Sequence, residues 1–453
     1  MKRILFFMQT SSRIGGVETW LDRTNAHLSK SGFEVTVGLA KGLRYNDPES
    51  YRQAHPDLTT VDVDGRGLNR DGRVRALMRC IRSVRPDIVV PLGIVDANEA
   101  TIRCKQQSIN VRLVAHAQGN LPTMLADLND YRDWIDRVVC PGRLTRKVLV
   151  QWAGFLPDRV INIPNGADPV RIAQQPRLPG MPLRIGYVGR LTPLDKRATD
   201  LIGLHRELES LGVDYTLDIV GDGPCGEQIR AALGGQAPRV QIHGAVPHDE
   251  LYASVFPNLD VLVLTSASEA FGIVLVEAMM HGVVPVSSRY DGFHAERLVE
   301  DELNGLSYPV GDMRAAALAI ARLAGDTALL HQLSSACLAK SAEYTWARSL
   351  ERWQCTLEEV IAAPLVLGSK PPVMPASPVT GFLDRIGIPA GLSDVVRRTR
   401  RTILGSSVPA GGEEWPLYYR HHDAATLDAI QTAINQMDVV GTDFSMPAVK
   451  ARS

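Results

Sequence analysis

The chain has 453 residues, enough for two or three domains with full cores. Apolar residues make up 45% and the formal net charge is −1, so no global field selects nucleic acid, and nucleic acid is excluded as an expected partner. Six cysteines, at positions 80, 104, 140, 225, 337 and 355, lack CxxC or Cys/His spacing. That spacing argues against a zinc site, so no metal ligands are assigned, and it fits buried free thiols in a reducing compartment.

In chain order, the opening Met1-Lys2-Arg3-Ile4-Leu5-Phe6-Phe7-Met8 has a signal-peptide start, but its apolar stretch ends at Gln9, too early for a leader. It reads as a first buried strand, Ile4–Met8. Further strands are expected at Val35–Leu39, Ile88–Pro91, Leu113–Ala115, Arg137–Cys140 and Val160–Ile163, with helices between them such as Val17–Ser31 and Arg73–Arg85. Residues 164 to 182 are proline-bearing and read as a linker. The alternation restarts with strands at Leu183–Val188, Thr216–Val220, Val240–His243, Val261–Leu264 and Val283–Val286. Thr345–Ile361 reads as one more helix, with Trp346, Leu350, Trp353, Leu357 and Val360 on one face. Pro364 to Pro378 reads as a second linker, Ala390–Gly405 and Asp423–Val440 as helices, and the last residues as loose. Two βαβ series joined by a linker predict an α/β protein of two facing doubly wound, Rossmann-like domains. The expected boundaries are 1–165, a linker at 166–182, a second domain at 183–344, a crossover helix at 345–362 and a tail of unknown role at 363–453. No apolar run spans a bilayer, so the expected location is the cytoplasm, soluble or peripheral on a membrane.

The chemistry concentrates at strand ends. Gly15-Gly16-Val17-Glu18 follows the first strand and opens a helix, letting backbone amides approach a diphosphate; a lone Gly-Gly pair equally describes a tight turn. Arg190 ends the first strand of the second domain and Lys196 follows six residues later, two cations able to neutralise a departing diphosphate. Gly221 and Gly223, in Val220-Gly221-Asp222-Gly223-Pro224, leave room for a base or ribose. Glu269 sits in the turn after Val261–Leu264, and Glu277 about two turns into the helix that follows. Between them, Phe271, Gly272, Ile273 and Val274 form a helix N-terminus, a seat for phosphate. His116 ends a strand of the first domain and is expected to face the cleft.

The ordered set GGVE at 15–18, PNGAD at 164–168, GRL with its lysine at 189–196, VGDGP at 220–224 and SEAFGIVLVEAM at 268–279 resembles glycosyltransferase family 4, the group 1 glycosyltransferases of GT-B fold. The resemblance covers roughly residues 1 to 362. It implies a retaining, metal-independent transfer of a hexose from a nucleoside-diphosphate sugar to a glycan or lipid-linked acceptor, in polysaccharide or glycoconjugate synthesis, with no cofactor. Glu277 would bond the ribose hydroxyls and Glu269 the donor hexose. Arg190, Lys196, Gly16 and the amides of Gly272 to Val274 would hold the diphosphate, and His116 would contact the transferred sugar. The Arg190–Lys196 spacing is one residue longer than in many members and matches a subgroup with Lys196-Arg197. Two other readings stay open: another GT-B enzyme, such as a nucleotide-sugar epimerase, or a non-catalytic nucleotide-sugar-binding scaffold. A last feature lies outside the motifs. Arg70, Arg73, Arg75, Arg79, Arg82 and Arg85 crowd one helix and Arg397, Arg398, Arg400 and Arg401 a second, which fits either solvated faces or docking on an anionic membrane.

Overall fold

Short aliphatic runs, each followed by a helix on a sheet face, leave the chain one economical arrangement: parallel strands covered on both sides. The computed structural model describes residues 2–11, 15–168, 170, 180–236, 238–369, 388, 390–404, 415–419 and 421–439. In the first half, β1 (Lys2–Met8), β2 (Phe33–Lys41), β3 (Thr60–Asp64), β4 (Ile88–Leu92), β5 (Arg112–His116), β6 (Arg137–Cys140) and β7 (Val160–Asn162) form one sheet. Its order is β3-β2-β1-β4-β5-β6-β7. In the second half, β8 (Leu183–Val188), β9 (Tyr215–Val220), β10 (Val240–Gly244), β11 (Val261–Leu264), β12 (Val284–Ser288) and β13 (Leu306–Tyr308) form another, in the order β10-β9-β8-β11-β12-β13. Every pairing between these strands is parallel. Both orders are the doubly wound 3-2-1-4-5-6 pattern, extended by one strand in the first sheet. Strand order therefore reverses between β1 and β4 in one sheet and between β8 and β11 in the other. Those switch points are where such sheets take ligands.

The chain divides into two compact units, Met1–Pro169 with Ala342–Ile430, and Val170–Ser341 with Gln431–Ser453. The helix Trp346–Ala362 belongs to the first. Its N-cap is Thr345, whose hydroxyl accepts the Arg348 amide. Trp353 packs on Trp20 of the helix Gly16–Lys30, ring centroids 4.9 Å apart. At its C-terminus the Arg112 guanidinium donates to the carbonyls of Val360 and Ala363, at 3.0 and 3.1 Å, where the helix dipole favours a cation. Gly166 fits against the start of this helix: a Cβ there would sit 2.1 Å from the Trp346 nitrogen.

The tail carries packing that its sequence does not announce. Trp415, 1% exposed, is part of the core built from Leu5, Phe7, Val63, Leu77 and their neighbours. Its indole N–H donates to the Lys41 carbonyl at 3.2 Å, and a Cβ on Gly65 would lie 2.2 Å from its ring. The Gln9 side chain donates to the carbonyls of both Gly93 and Trp415, at 2.6 and 2.5 Å. The Val95 amide donates to Pro416. Trp415 thus lies just past the ends of β1, β2, β3 and β4. In the second unit, the Asp438 carboxylate accepts the amides of Gly292 and Ala295.

The linker at 171–179 and the expected loose end at 440–453 lie outside the described residues, as does the Pro-rich stretch 370–387. Among the described residues no helix is long and apolar enough to cross a membrane. The cysteines are free and five are buried; Cys355 is exposed.

Candidate functional site

The second unit assembles its site at the β8/β11 switch point from three loops. The β8 loop closes on the β9 loop: the Gly189 amide donates to Val220, Leu191 to Asp222, and Cys225 back to Leu191, at 2.9–3.0 Å. Such close approach requires glycine. A Cβ on Gly221, at φ 139°, would lie 1.9 Å from the Gly189 carbonyl oxygen, and one on Gly223, at φ 154°, 2.7 Å from that of Leu191.

The same β8 loop carries Arg190 and Lys196. Arg190 is 68% exposed and reaches Asp195 at 2.8 Å. Burial opposes ionisation of Asp195, but the Thr192 hydroxyl and the Arg190 guanidinium hold its carboxyl below the usual range. The loop turns at Arg197, a non-glycine residue at φ 47°, which also forks onto Asp200. Lys196 is directed onto Glu269, its ammonium 2.6 and 2.8 Å from the two carboxylate oxygens. The Ser266 hydroxyl donates to Glu269 at 2.6 Å, and Thr265 fixes the Lys196 carbonyl at 2.7 Å. Both members of the pair are largely buried, so each depends on the other for compensation.

Gly272, at φ 85° and ψ 51°, opens the helix Ile273–Met280 without a capping side chain. The Leu275 amide turns back to the Gly272 carbonyl at 2.9 Å, and the start as a whole is the kind of helix N-terminus that favours an anion. Glu277 is buried in this helix, and the His248 imidazole lies 2.9 Å from it with the Tyr252 hydroxyl at 3.5 Å. The His248 and Tyr252 rings lie tilted against each other, centroids 4.8 Å apart. Neither carries a local sequence signal, since both come from the short helical turns after β10 and meet Glu277 only through the fold.

His116 lies in the first unit, and Gly15 and Gly16 with it. Gly15 is extended and its carbonyl accepts the Thr19 amide, while Gly16 begins the helix. His116 ends β5 between two indoles, Trp20 at 4.5 Å and Trp353 at 5.0 Å between centroids. Burial lowers its pKa to about 3, so the ring is neutral, and its Nδ1 pairs with the Gln118 amide group at 2.9 Å. A neutral imidazole clamped between aromatic rings is a fixed hydrogen-bonding group. Trp353, from the crossover helix, is a positioning partner that the sequence motifs do not indicate.

The basic helix, Arg70–Val84, turns three of its five arginines inward. Arg73 pairs with the fully buried Asp96 at 2.6 Å, Arg70 with the fully buried Glu99 at 3.2 Å, and Arg75 with Asp394 of the tail at 2.7 Å. Arg79, Arg82 and Arg85 are exposed. In the tail, Arg397 pairs with Asp394 and Arg398 with Asp64, whereas Arg400 is exposed; the Arg401 side chain lies outside the described residues.

Known proteins resemble this chain along both units. Residues 14–171 match the sequence model described as Glycosyltransferase Family 4, and residues 182–326 the one described as Glycosyl transferases group 1. A phosphatidyl-myo-inositol mannosyltransferase of Mycobacterium leprae is 30% identical over 223 residues, 48% of this chain and 58% of that protein. A 2-deoxystreptamine glucosyltransferase of Streptomyces kanamyceticus is 36% identical over 144 residues, 29% and 36% of the two chains. The matches span about half the length of the curated relatives. Among solved structures, a sucrose-phosphate synthase of Thermosynechococcus elongatus superposes with a TM-score of 0.67 over 80% of this chain and 100% of that one, at 18% identity. Anabaena HepE in complex with UDP and glucose does so at 0.64 over 79% and 100%, at 20% identity. With one family model on each Rossmann-like unit, the chain belongs to the group 1, family 4 glycosyltransferases of GT-B fold.

Proposed function

We propose that the protein transfers a hexose from a nucleoside-diphosphate sugar to a glycan or lipid-linked acceptor, with retention at the anomeric carbon and without a catalytic metal. The observation that carries this reading is the β8/β11 crevice. There a buried lysine–glutamate pair, an exposed arginine and an uncapped helix start sit beside two glycines that admit no side chain. Glycosidic cleavage sends negative charge onto the leaving diphosphate. Lys196, Arg190 and the amides after Gly272 form a pre-arranged cationic environment for that charge. Glu269 is assigned to a sugar hydroxyl and Lys196, whose ammonium rests on that carboxylate, to the phosphate. Glu277, oriented by His248, takes the ribose hydroxyls. His116, in the first unit, is held neutral and is assigned a hydrogen-bonding role toward sugar with no charge to disperse. The phosphate accepts the acceptor's proton, so no further base is assigned.

The relatives named above act, by their names, on phosphatidyl-inositol and on a small aminocyclitol, which supports a hydroxyl acceptor and leaves its carrier open. Cytoplasmic work at a membrane face belongs to the same reading. It rests on exposed Arg79, Arg82 and Arg85, and on Leu392, Val395, Val396 and Ile403, which stand exposed beside the arginines of the helix Ala390–Leu404.

Product analysis tests the proposal. Nucleoside diphosphate should be released in step with glycosylated acceptor, with the donor's anomeric configuration kept and the rate unchanged in excess EDTA. Release of an epimerised sugar, or donor binding with no turnover across an acceptor panel, would replace this reading with the epimerase or the scaffold. Loss of rate in EDTA with rescue by Mg²⁺ would reject the metal-free step.

A further inference from the structure

The tail segment that follows Trp415 runs across the first unit and ends in a polar cluster with no part in the transfer chemistry. Asp127 and Asp130 are three residues apart on the helix Pro122–Asp130, hence on one face of it. His421 and His422 come from the tail, their rings tilted against each other with centroids 3.8 Å apart. The His422 Nε2 is 3.0 Å from Asp127 Oδ1 and 3.6 Å from Asp130 Oδ2. His421 presents its Nε2 to Asp130 Oδ2 at 3.0 Å and its Nδ1 to Asp127 Oδ1 at 3.9 Å. One ligand atom from each of the four residues lies within 4.8 Å of all the others. The other Asp127 oxygen accepts the Tyr419 amide at 2.8 Å, which fixes the carboxylate's orientation.

We propose that Asp127, Asp130, His421 and His422 form a structural binding site for a divalent transition metal of the zinc class, fastening the tail to the first unit. The donor set is two imidazoles and two carboxylates, which suits a borderline cation. Ligand bonds near 2.1 Å place the donors of a tetrahedral site about 3.4 Å apart. The separations of 3.0 Å for His422 Nε2–Asp127 Oδ1 and for His421 Nε2–Asp130 Oδ2, and of 3.6 Å for His422 Nε2–Asp130 Oδ2, bracket that value. Charge agrees with geometry. Two carboxylates with side chains 5% and 14% exposed, facing two imidazoles, gather a negative charge that a dication cancels in one step. Four protein donors leave no open position, so the site is structural and does not activate water. The sequence conceals it because His421-His422 and Asp127/Asp130 lie in segments with none of the spacing of a metal motif.

The test uses the full chain, freed of metal and titrated with Zn²⁺ or Co²⁺ alone against a chromophoric chelator. One equivalent should bind with a submicromolar dissociation constant. Co²⁺ should give the intense visible bands of a tetrahedral centre, and Zn²⁺ should raise the melting temperature. His422→Ala and Asp127→Asn should each weaken binding at least a hundredfold. The milder His421→Gln, at the more exposed ligand, should weaken it tenfold or more with the far-UV circular dichroism unchanged. No stoichiometric binding would overturn the site and leave the cluster a hydrogen-bonded latch. Binding that survives all three variants would overturn it as well, since the metal would then sit elsewhere.

Discussion

Two crevices of the same topology end in opposite ways within this chain. At the second sheet's switch point, between β8 and β11, Gly221 and Gly223 let two loops pack backbone to backbone, and charge lines it: Arg190, the Lys196–Glu269 pair and the helix start after Gly272. Past the corresponding strands of the first sheet, β1 and β4, sits Trp415, with its carbonyl accepting from Gln9 and its ring against Gly65. Doubly wound topology supplies a place for a ligand at both. Which one takes a charged donor is decided by the side chains brought there. Close-packed glycine turns and paired charges line one, and a non-local aromatic fills space beside the other.

The contrast breaks most visibly at Trp415. Trp415→Ala removes a fully buried indole from the first unit's core and should cost about 4 kcal/mol in its unfolding, read by chemical denaturation, while nucleotide binding at the second unit persists. Equal loss of both would make the two crevices one cooperative structure. Next comes Lys196→Ala, expected to slow transfer by about 10²–10³, roughly 3 kcal/mol in the barrier. It also leaves Glu269 buried beside Ser266 without its cation, so Lys196→Arg, which keeps the charge, should retain more stability than activity. A near-normal rate in Lys196→Ala would move the diphosphate elsewhere. Glu277→Ala should weaken nucleotide binding by about 2 kcal/mol, the loss of charged hydrogen bonds to ribose, with less effect on turnover at saturation. Glu269→Ala should do the reverse, and calorimetry beside steady-state kinetics separates the two.

The smallest effect near neutral pH lies at His116. The folded ring titrates near 3 because of burial, whereas an unfolded one titrates near 6.5. The unfolded state therefore takes up a proton first as pH falls, and stability of the first unit should decline below pH 6.5, by at most about 1.4 kcal/mol per pH unit, until the folded ring itself titrates. His116→Asn should flatten that slope; an unchanged slope would assign it to other groups.

Much of the fold is legible in the sequence because parallel strands buried on both faces are continuous aliphatic runs. β8, β11 and β6 stand where their residues predict, and the other expected strands differ only at their ends. β3 and β13 are missed for a physical reason. Thr60–Asp64 alternates with Asp62 and Asp64 at a sheet edge, and Leu306–Tyr308 has three residues, so neither shows an aliphatic run. The individual residues of the donor crevice can be named from local motifs. Their pairings cannot, because Lys196 meets Glu269 and His248 meets Glu277 only after β8, β10 and β11 are assembled. The tail is the least legible part. Trp415 follows a segment holding Gly405, Pro409, Gly411 and Gly412, and nothing local indicates that its partners are Gln9, Lys41 and Gly65. The crowd of arginines on Arg70–Val84 misleads in the same way, since the acids that consume Arg70, Arg73 and Arg75 lie on other elements.

The central claim is that the β8/β11 crevice holds a nucleoside diphosphate. Thermal unfolding of the full chain with UDP, GDP and ADP, each alone and in EDTA, tests it most directly, because a ligand that binds the folded state raises the melting temperature by mass action. The account predicts a clear upward shift with at least one of the three, lost in Glu277→Ala and kept in Trp415→Phe. No shift with any of them, or a shift that Glu277→Ala leaves intact, would contradict it.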